Sequence, residues 1–146
     1  MTKSEETATM EDVFGEVISS YSRAQAIEDG VLIDVTEMAK QAGIKYPVAL
    51  TAAVHDEYVL VPKALEGLQD EAGRLWDILW LYAWAVRSGW IRGSQGTFEV
   101  SFLMWEGKHA ADERLAPYRK AVTLKAVCGP NDDGSACVTI MLVTED

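Results

Sequence analysis

The sequence predicts a single α+β domain, with helices mainly in the N-terminal half packed on a small, largely antiparallel sheet drawn from the C-terminal half. Three observations carry that reading. Helical periodicity and caps cluster before residue 90, and strand-like apolar runs dominate after it. A length of 146 residues, with 49% hydrophobic and 25% charged side chains, suits one globular core.

Residues 1–12 are polar and aperiodic and read as a disordered tail, so the domain is placed at 13–146. Residues 17–21 have strand character. Ser22 with Gln25 then fits a capping box that opens a helix over 23–29, and Gly30 supplies the positive φ at which helices commonly stop. The apolar run 31–35 follows as a strand. Thr36 can cap a second helix through Gln41, Gly43 ends it, and Pro47 suits the first turn of a third helix over 48–58.

The longest helix is predicted from about Gln69 to just before Gly89, with Trp76, Trp80 and Trp84 spaced i, i+4 and i+8 on one face. These indoles are assigned to the spine of the core. On that assignment Trp80→Ala costs about 3–5 kcal/mol, whereas a cost below about 1 kcal/mol would mark a partner surface. The apolar circumference of the helix calls for a sheet as its cover. Along 97–105 Phe98, Val100, Phe102 and Met104 share one face, and 121–127 pairs with 136–143 across the turn-forming link 128–135.

Composition limits the function classes. Twenty-three acidic against thirteen basic residues, a net charge of -10, argue against direct nucleic-acid binding, which needs clustered cations. The first twelve residues hold no apolar stretch of signal-peptide type. The most apolar run, 75–86, is twelve residues long against the roughly 20 a membrane span needs. A cytoplasmic chain with no membrane partner is expected. Cys128 and Cys137, nine positions apart, could face each other across the hairpin but read as free thiols in a reducing compartment.

No motif of established chemistry is present. The run Asn131-Asp132-Asp133-Gly134 is too short for a calcium loop and reads as a turn. His55 and His109 lie far apart without ligand spacing, so no metal and no cofactor is expected, and the catalytic residues are unknown. His55, beside Asp56 and Glu57, reads as solvated or capping.

Polar groups are densest over 21–35. Arg23 in a first helical turn opposes the helix dipole, which an ion pair with Asp29 or Asp34 would explain. The functional alternative is that Tyr21 and Arg23 line a cleft and hold a phosphate or carboxylate. The candidate functional cluster is Tyr21, Arg23, Gln25, Asp29 and Asp34. Five tryptophans exceed what a modest interior hides, so Trp90, Trp105, Asp132 and Asp133 form a candidate interface, and a homodimer is open.

The residues from Tyr21-Ser-Arg-Ala-Gln to Gly-Val-Leu-Ile-Asp-Val35, then Tyr46-Pro-Val-Ala-Leu-Thr51, Lys125-Ala-Val-Cys-Gly-Pro-Asn-Asp-Asp-Gly134 and Ile140-Met-Leu142, carry a resemblance. From roughly Val13 onward the chain resembles uncharacterised small acidic proteins of bacterial plasmids, phages and other mobile elements. That resemblance implies a non-enzymatic interaction protein of anti-CRISPR or anti-restriction type, binding and blocking a host protein with a basic surface that handles nucleic acid. A second resemblance points to chemistry. The Arg-Ala-Gln-Ala-Ile helix followed by a Gly-Val-Leu strand is similar to the opening of ADP-ribosyltransferase-like domains. It implies NAD binding with Glu99 as catalytic glutamate, although Tyr21-Ser22-Arg23 stand where that family has a histidine or arginine.

Overall fold

The computed structural model describes residues 3–4, 6–7, 21–104 and 118–145. In the stretch read as a tail, Lys3–Ser4 and Glu6–Thr7 pair with each other as a separate two-stranded ladder. Of the strand read at 17–21, residues 17–20 lie outside the described residues, as do Trp105 and His109, and Tyr21 is in no strand.

Local caps set the first elements much as the sequence predicts. Helix α1, Arg23–Glu28, opens where the Ser22 hydroxyl accepts the Gln25 N–H at 2.9 Å and closes before Gly30 at φ +78°. Strand β1 is Leu32–Asp34, and α2 is Thr36–Gln41. The cap of α2 differs from expectation in one respect: Asp34 Oδ1 accepts the Thr36 N–H at 3.1 Å and the Thr36 hydroxyl at 2.5 Å, so the carboxylate caps and Thr36 is the first helical residue.

The helix predicted at 48–58 is corrected. Val48–Thr51 is strand β2, and the helix begins only at Ala52, with α3 at Ala52–Val54 running into a π turn at His55–Val59. Pro47 enters a strand rather than a first helical turn, a place where its missing N–H leaves the ladder intact, and its carbonyl accepts the Val138 N–H at 2.9 Å. Thr51 is the helix cap, its hydroxyl accepting the Val54 N–H at 3.3 Å.

After a 3₁₀ turn at Lys63–Leu65 comes α4, Glu71–Arg87, capped by Asp70, whose carboxylate accepts the Gly73 N–H at 2.6 Å. Strands β3 (Gln95–Met104), β4 (Tyr118–Pro130) and β5 (Ala136–Leu142) follow. All five strands form one sheet in the order β1-β2-β5-β4-β3. Every pairing is antiparallel except β2 with β5, where Val48, Ala49 and Leu50 lie beside Val138, Thr139 and Ile140. Helices do precede most strands, as an α+β chain requires, but the sheet is built from both halves. Its two N-terminal strands are stitched to the last one.

One face of the sheet carries the core. Phe98, Val100, Phe102, Val122, Leu124, Ile140, Val138, Leu50 and Val48 are buried against Ile78, Leu79, Tyr82 and Ala83 of α4. The tryptophan spine expected there is absent. Trp76, Trp80 and Trp84 are 37%, 43% and 51% exposed. Their spacing does put them on one face, but the sheet takes the adjoining face, where Ala83 and Ala85 allow the helix to approach closely and branched side chains interdigitate with β3 and β4.

Arg74 is buried among these apolar groups at 2% exposure. Its guanidinium donates to Gln69 Oε1 and to the Tyr58 carbonyl, both at 3.0 Å, and to the Leu103 carbonyl, and it lies 5.7 Å from the Phe102 ring centroid. Tyr58 stacks on the same ring at 5.2 Å. Arg74 thus ties the end of the π turn, the first turn of α4 and the end of β3 together, and burial pulls its guanidinium below its ordinary pKa. The signal for this was its place one turn before Ile78 and two before Tyr82 on the inward stripe.

Register also settles the thiols. Cys128 lies opposite Val138 and Cys137 opposite Gly129, so the two alternate to different faces of the sheet, and both are free.

Candidate functional site

Of the residues singled out over 21–34, Tyr21 and Arg23 line one crevice and Tyr21 bonds Asp29, whereas Gln25 and Asp34 lie outside it. Tyr21, Ser22, Arg23, Leu32, Asn131 and Asp132 line a crevice of about 700 Å³ where α1 meets the β4–β5 turn. Arg23 pairs with neither Asp29 nor Asp34. Its guanidinium crosses to β5, donating to Thr139 Oγ1 at 2.7 Å and to the Val138 carbonyl at 2.6 Å. The Asp132 carboxylate accepts the backbone N–H groups of Arg23 and Ala24 at 2.8 and 3.0 Å. That carboxylate at the helix start answers the dipole problem that Arg23 posed.

Tyr21 donates to Asp29 Oδ2 at 2.8 Å. This bond first, then slight burial and the Asp29 charge, hold its phenol above its usual pKa, the direction opposite to that of an activated base. Gln25 is exposed on α1, and Asp34 caps α2. Asp133 accepts the Ser135 N–H at 2.9 Å and the Ser135 hydroxyl at 2.5 Å, bonds that hold its carboxyl below the usual range. The turn is closed by Asn131 N–H to the Ser135 carbonyl at 2.6 Å. Asp132 and Asp133, offered above as interface residues, are therefore engaged within the chain. Removing the Asp132 carboxylate is expected to cost about 1 kcal/mol, as for other helix caps, measurable as a lower urea midpoint for Asp132→Ala. A change in midpoint no larger than that of Glu57→Ala would contradict the latch.

A second surface has the character of a binding site. Trp76, Trp80 and Trp84 rise along the outer ridge of α4, and Trp90, just beyond its end, is 74% exposed. Between Trp84 and Trp90 opens a slot of about 240 Å³ whose walls are Leu81, Ala85 and Phe98, with Glu99 of the edge strand β3 also lining it. Asp77 stands one turn before Leu81 on the same helix; burial pushes its carboxyl up, and the charge of Arg119 draws it back. The candidate interface thus keeps Trp90 and gains Trp76, Trp80 and Trp84, which the sequence reading had placed inside.

Tyr21-Ser22-Arg23, which stand where ADP-ribosyltransferase-like domains have a histidine or arginine, open on one crevice, and Glu99, the glutamate that resemblance implies, opens on the other. His55 Nδ1 lies 3.4 Å from Asp56 Oδ1, and among the described residues no group of three or more His, Cys, Asp or Glu could hold a metal ion. No helix of the described residues is long and apolar enough to cross a membrane.

Residues 10–146 match the model of a family of unknown function, DUF6573. No curated protein and no solved structure matches the chain.

Proposed function

Since the chain belongs to DUF6573, a family of unknown function, its role has to be read from its own surface, and we propose that it is a protein-binding module that docks a basic partner on the tryptophan face of α4. The observation that carries this is the solvent exposure of Trp76, Trp80, Trp84 and Trp90 on one side of a small domain. Tryptophan is the residue type most enriched at the energetic centres of interfaces, and a contiguous apolar patch of this kind marks a contact surface.

The chemistry of the partner follows from charge. With a net charge of -10 the protein attracts and orients cationic surfaces at long range. At short range the slot between Trp84 and Trp90 suits an arginine or lysine side chain: the aliphatic stem lies along Leu81 and Phe98, the cation sits over an indole face, and the Glu99 carboxylate offers a counter-charge. The wider reading is that the chain comes from a mobile element and occupies the basic site of a host protein that handles nucleic acid, blocking it as anti-CRISPR or anti-restriction factors do. It is supported by the acidic charge and by the resemblance carried by residues 21–35.

The experiment is photo-crosslinking in cells from a benzophenone side chain at Trp90, with a matched probe at the remote exposed position Lys63. A basic host protein cross-linked from position 90 alone, and lost on Glu99→Gln, is the expected result. Cross-linking only to a second copy of the chain would replace the proposal with a homodimer, and equal yields from both positions would end it. With the partner in hand, its addition is expected to shift tryptophan emission to shorter wavelength as the indoles leave water.

A further inference from the structure

Between the last turns of α4 and the 43–46 segment that follows α2 lies a second cavity, of about 300 Å³. That is the small end of the size range of small-ligand sites, roughly 300–1,000 Å³. Ile44 and Val86 give it an apolar wall, and Tyr46, Lys45, Tyr82 and Arg87 contribute its polar groups.

Two of those groups are fixed in position. Arg87 donates from Nη2 to the Ala42 carbonyl at 2.7 Å, and its guanidinium lies against Gly43, whose φ of +93° and lack of a side chain leave room for it. Its remaining N–H groups belong to the same rigid fork. Tyr82 is 8% exposed, with its ring tilted on Phe98 at 5.7 Å between centroids. Among the described residues its hydroxyl has no hydrogen-bond partner, whereas buried hydroxyls are nearly always bonded. Burial pushes this phenol above its ordinary pKa, and Tyr82 lines the cavity together with Tyr46.

Among the described residues, a buried phenol without a hydrogen-bond partner, a clamped guanidinium and a lysine thus line one apolar hollow in a protein that is otherwise strongly acidic. We infer that this cavity binds a small carboxylate with an aromatic or branched apolar body. The body packs on Ile44 and Val86, one carboxylate oxygen accepts from the Tyr82 hydroxyl, and the other accepts from Arg87 with Lys45 beside it. The inference does not depend on partner docking, because the Trp84–Trp90 slot lies on another flank of α4 and shares no lining residue with this cavity.

The test is an NMR titration of the full chain with 3-phenylpropionate, 4-methylpentanoate and the uncharged 3-phenylpropionamide, read on the Ile44 and Val86 methyl groups and the Tyr82 ring. At least one acid is expected to saturate these signals with a dissociation constant below about 10 mM. The amide should bind at least about tenfold more weakly, for want of a charged acceptor. Tyr82→Phe, which removes only the hydroxyl, should weaken the acid about tenfold, while the unliganded variant melts at or above the temperature of the parent chain. Lys45→Gln, at an exposed position, should weaken the acid without changing the melting temperature. Failure of both acids to saturate, equal binding of acid and amide, or unchanged binding by Tyr82→Phe would each overturn the site. So would a lower melting temperature for unliganded Tyr82→Phe, since the hydroxyl would then already have a partner.

Discussion

Replacing Arg74 with alanine is expected to cost the fold about 3–5 kcal/mol, as a shift of the urea midpoint or melting temperature. The size follows from what the side chain leaves behind. The carbonyls of Tyr58 and Leu103 and the Gln69 amide oxygen lose their donor at a residue that is 2% exposed. Each buried acceptor left without a donor costs about 1–3 kcal/mol, and the emptied volume beside Phe102 adds a cavity term. Arg74→Met separates the two contributions, because it refills the space without donating. It is expected to recover the packing share only. Arg74→Lys restores the charge but not the fork, and it should fall short of the parent chain because one ammonium cannot reach three divergent acceptors. A loss below about 1 kcal/mol for the alanine variant would show that water or a rearranged backbone takes over these acceptors.

The second large effect is on binding rather than folding. The double variant Trp80→Ser, Trp84→Ser should change stability by about 1 kcal/mol or less, because both side chains already stand in water over much of their surface. It should nevertheless weaken the partner cross-linked from position 90 by at least about 100-fold, the scale of losing one or two interface hot spots. Calorimetry on the two chains gives both numbers. If unfolding instead costs 3 kcal/mol or more per tryptophan, the indoles are part of the core after all. If the affinity holds, the partner sits elsewhere.

How much of this was legible in the sequence depends on how far the deciding interaction lies along the chain. Ser22 and Gly30, Gly43, and the span of α4 are set by contacts within a few residues, and their positions can be read from spacing alone. The hairpin of β4 and β5 is similar, since its turn residues 131–135 carry their own geometry. Strand β2 was not legible, because Pro47 suits both a helix start and a strand start. What decides between them is β1 on one side and β5, some ninety residues away, on the other. The same holds for the tryptophans: a period of four groups them on one face without saying on which side the sheet lies. Within the candidate site, Trp90 was visible as a surplus aromatic, whereas the slot beside it depends on Phe98 and Glu99 arriving from β3. Asp132 reached α1 across 109 positions, a distance no local rule spans.

That long stitch has a consequence for how the chain is made. Val48 and Leu50, both fully buried, have their parallel partners in Val138 and Ile140. While a ribosome is still short of β5, the middle of the sheet is missing, and the α1–β2 segment presents an apolar strand with only its β1 edge paired. Non-local pairings of this kind form late and slowly, and the waiting edge is the type that recruits other chains. A chain terminated before Ala136 would therefore expose this edge to chaperones and proteases rather than form a smaller working domain.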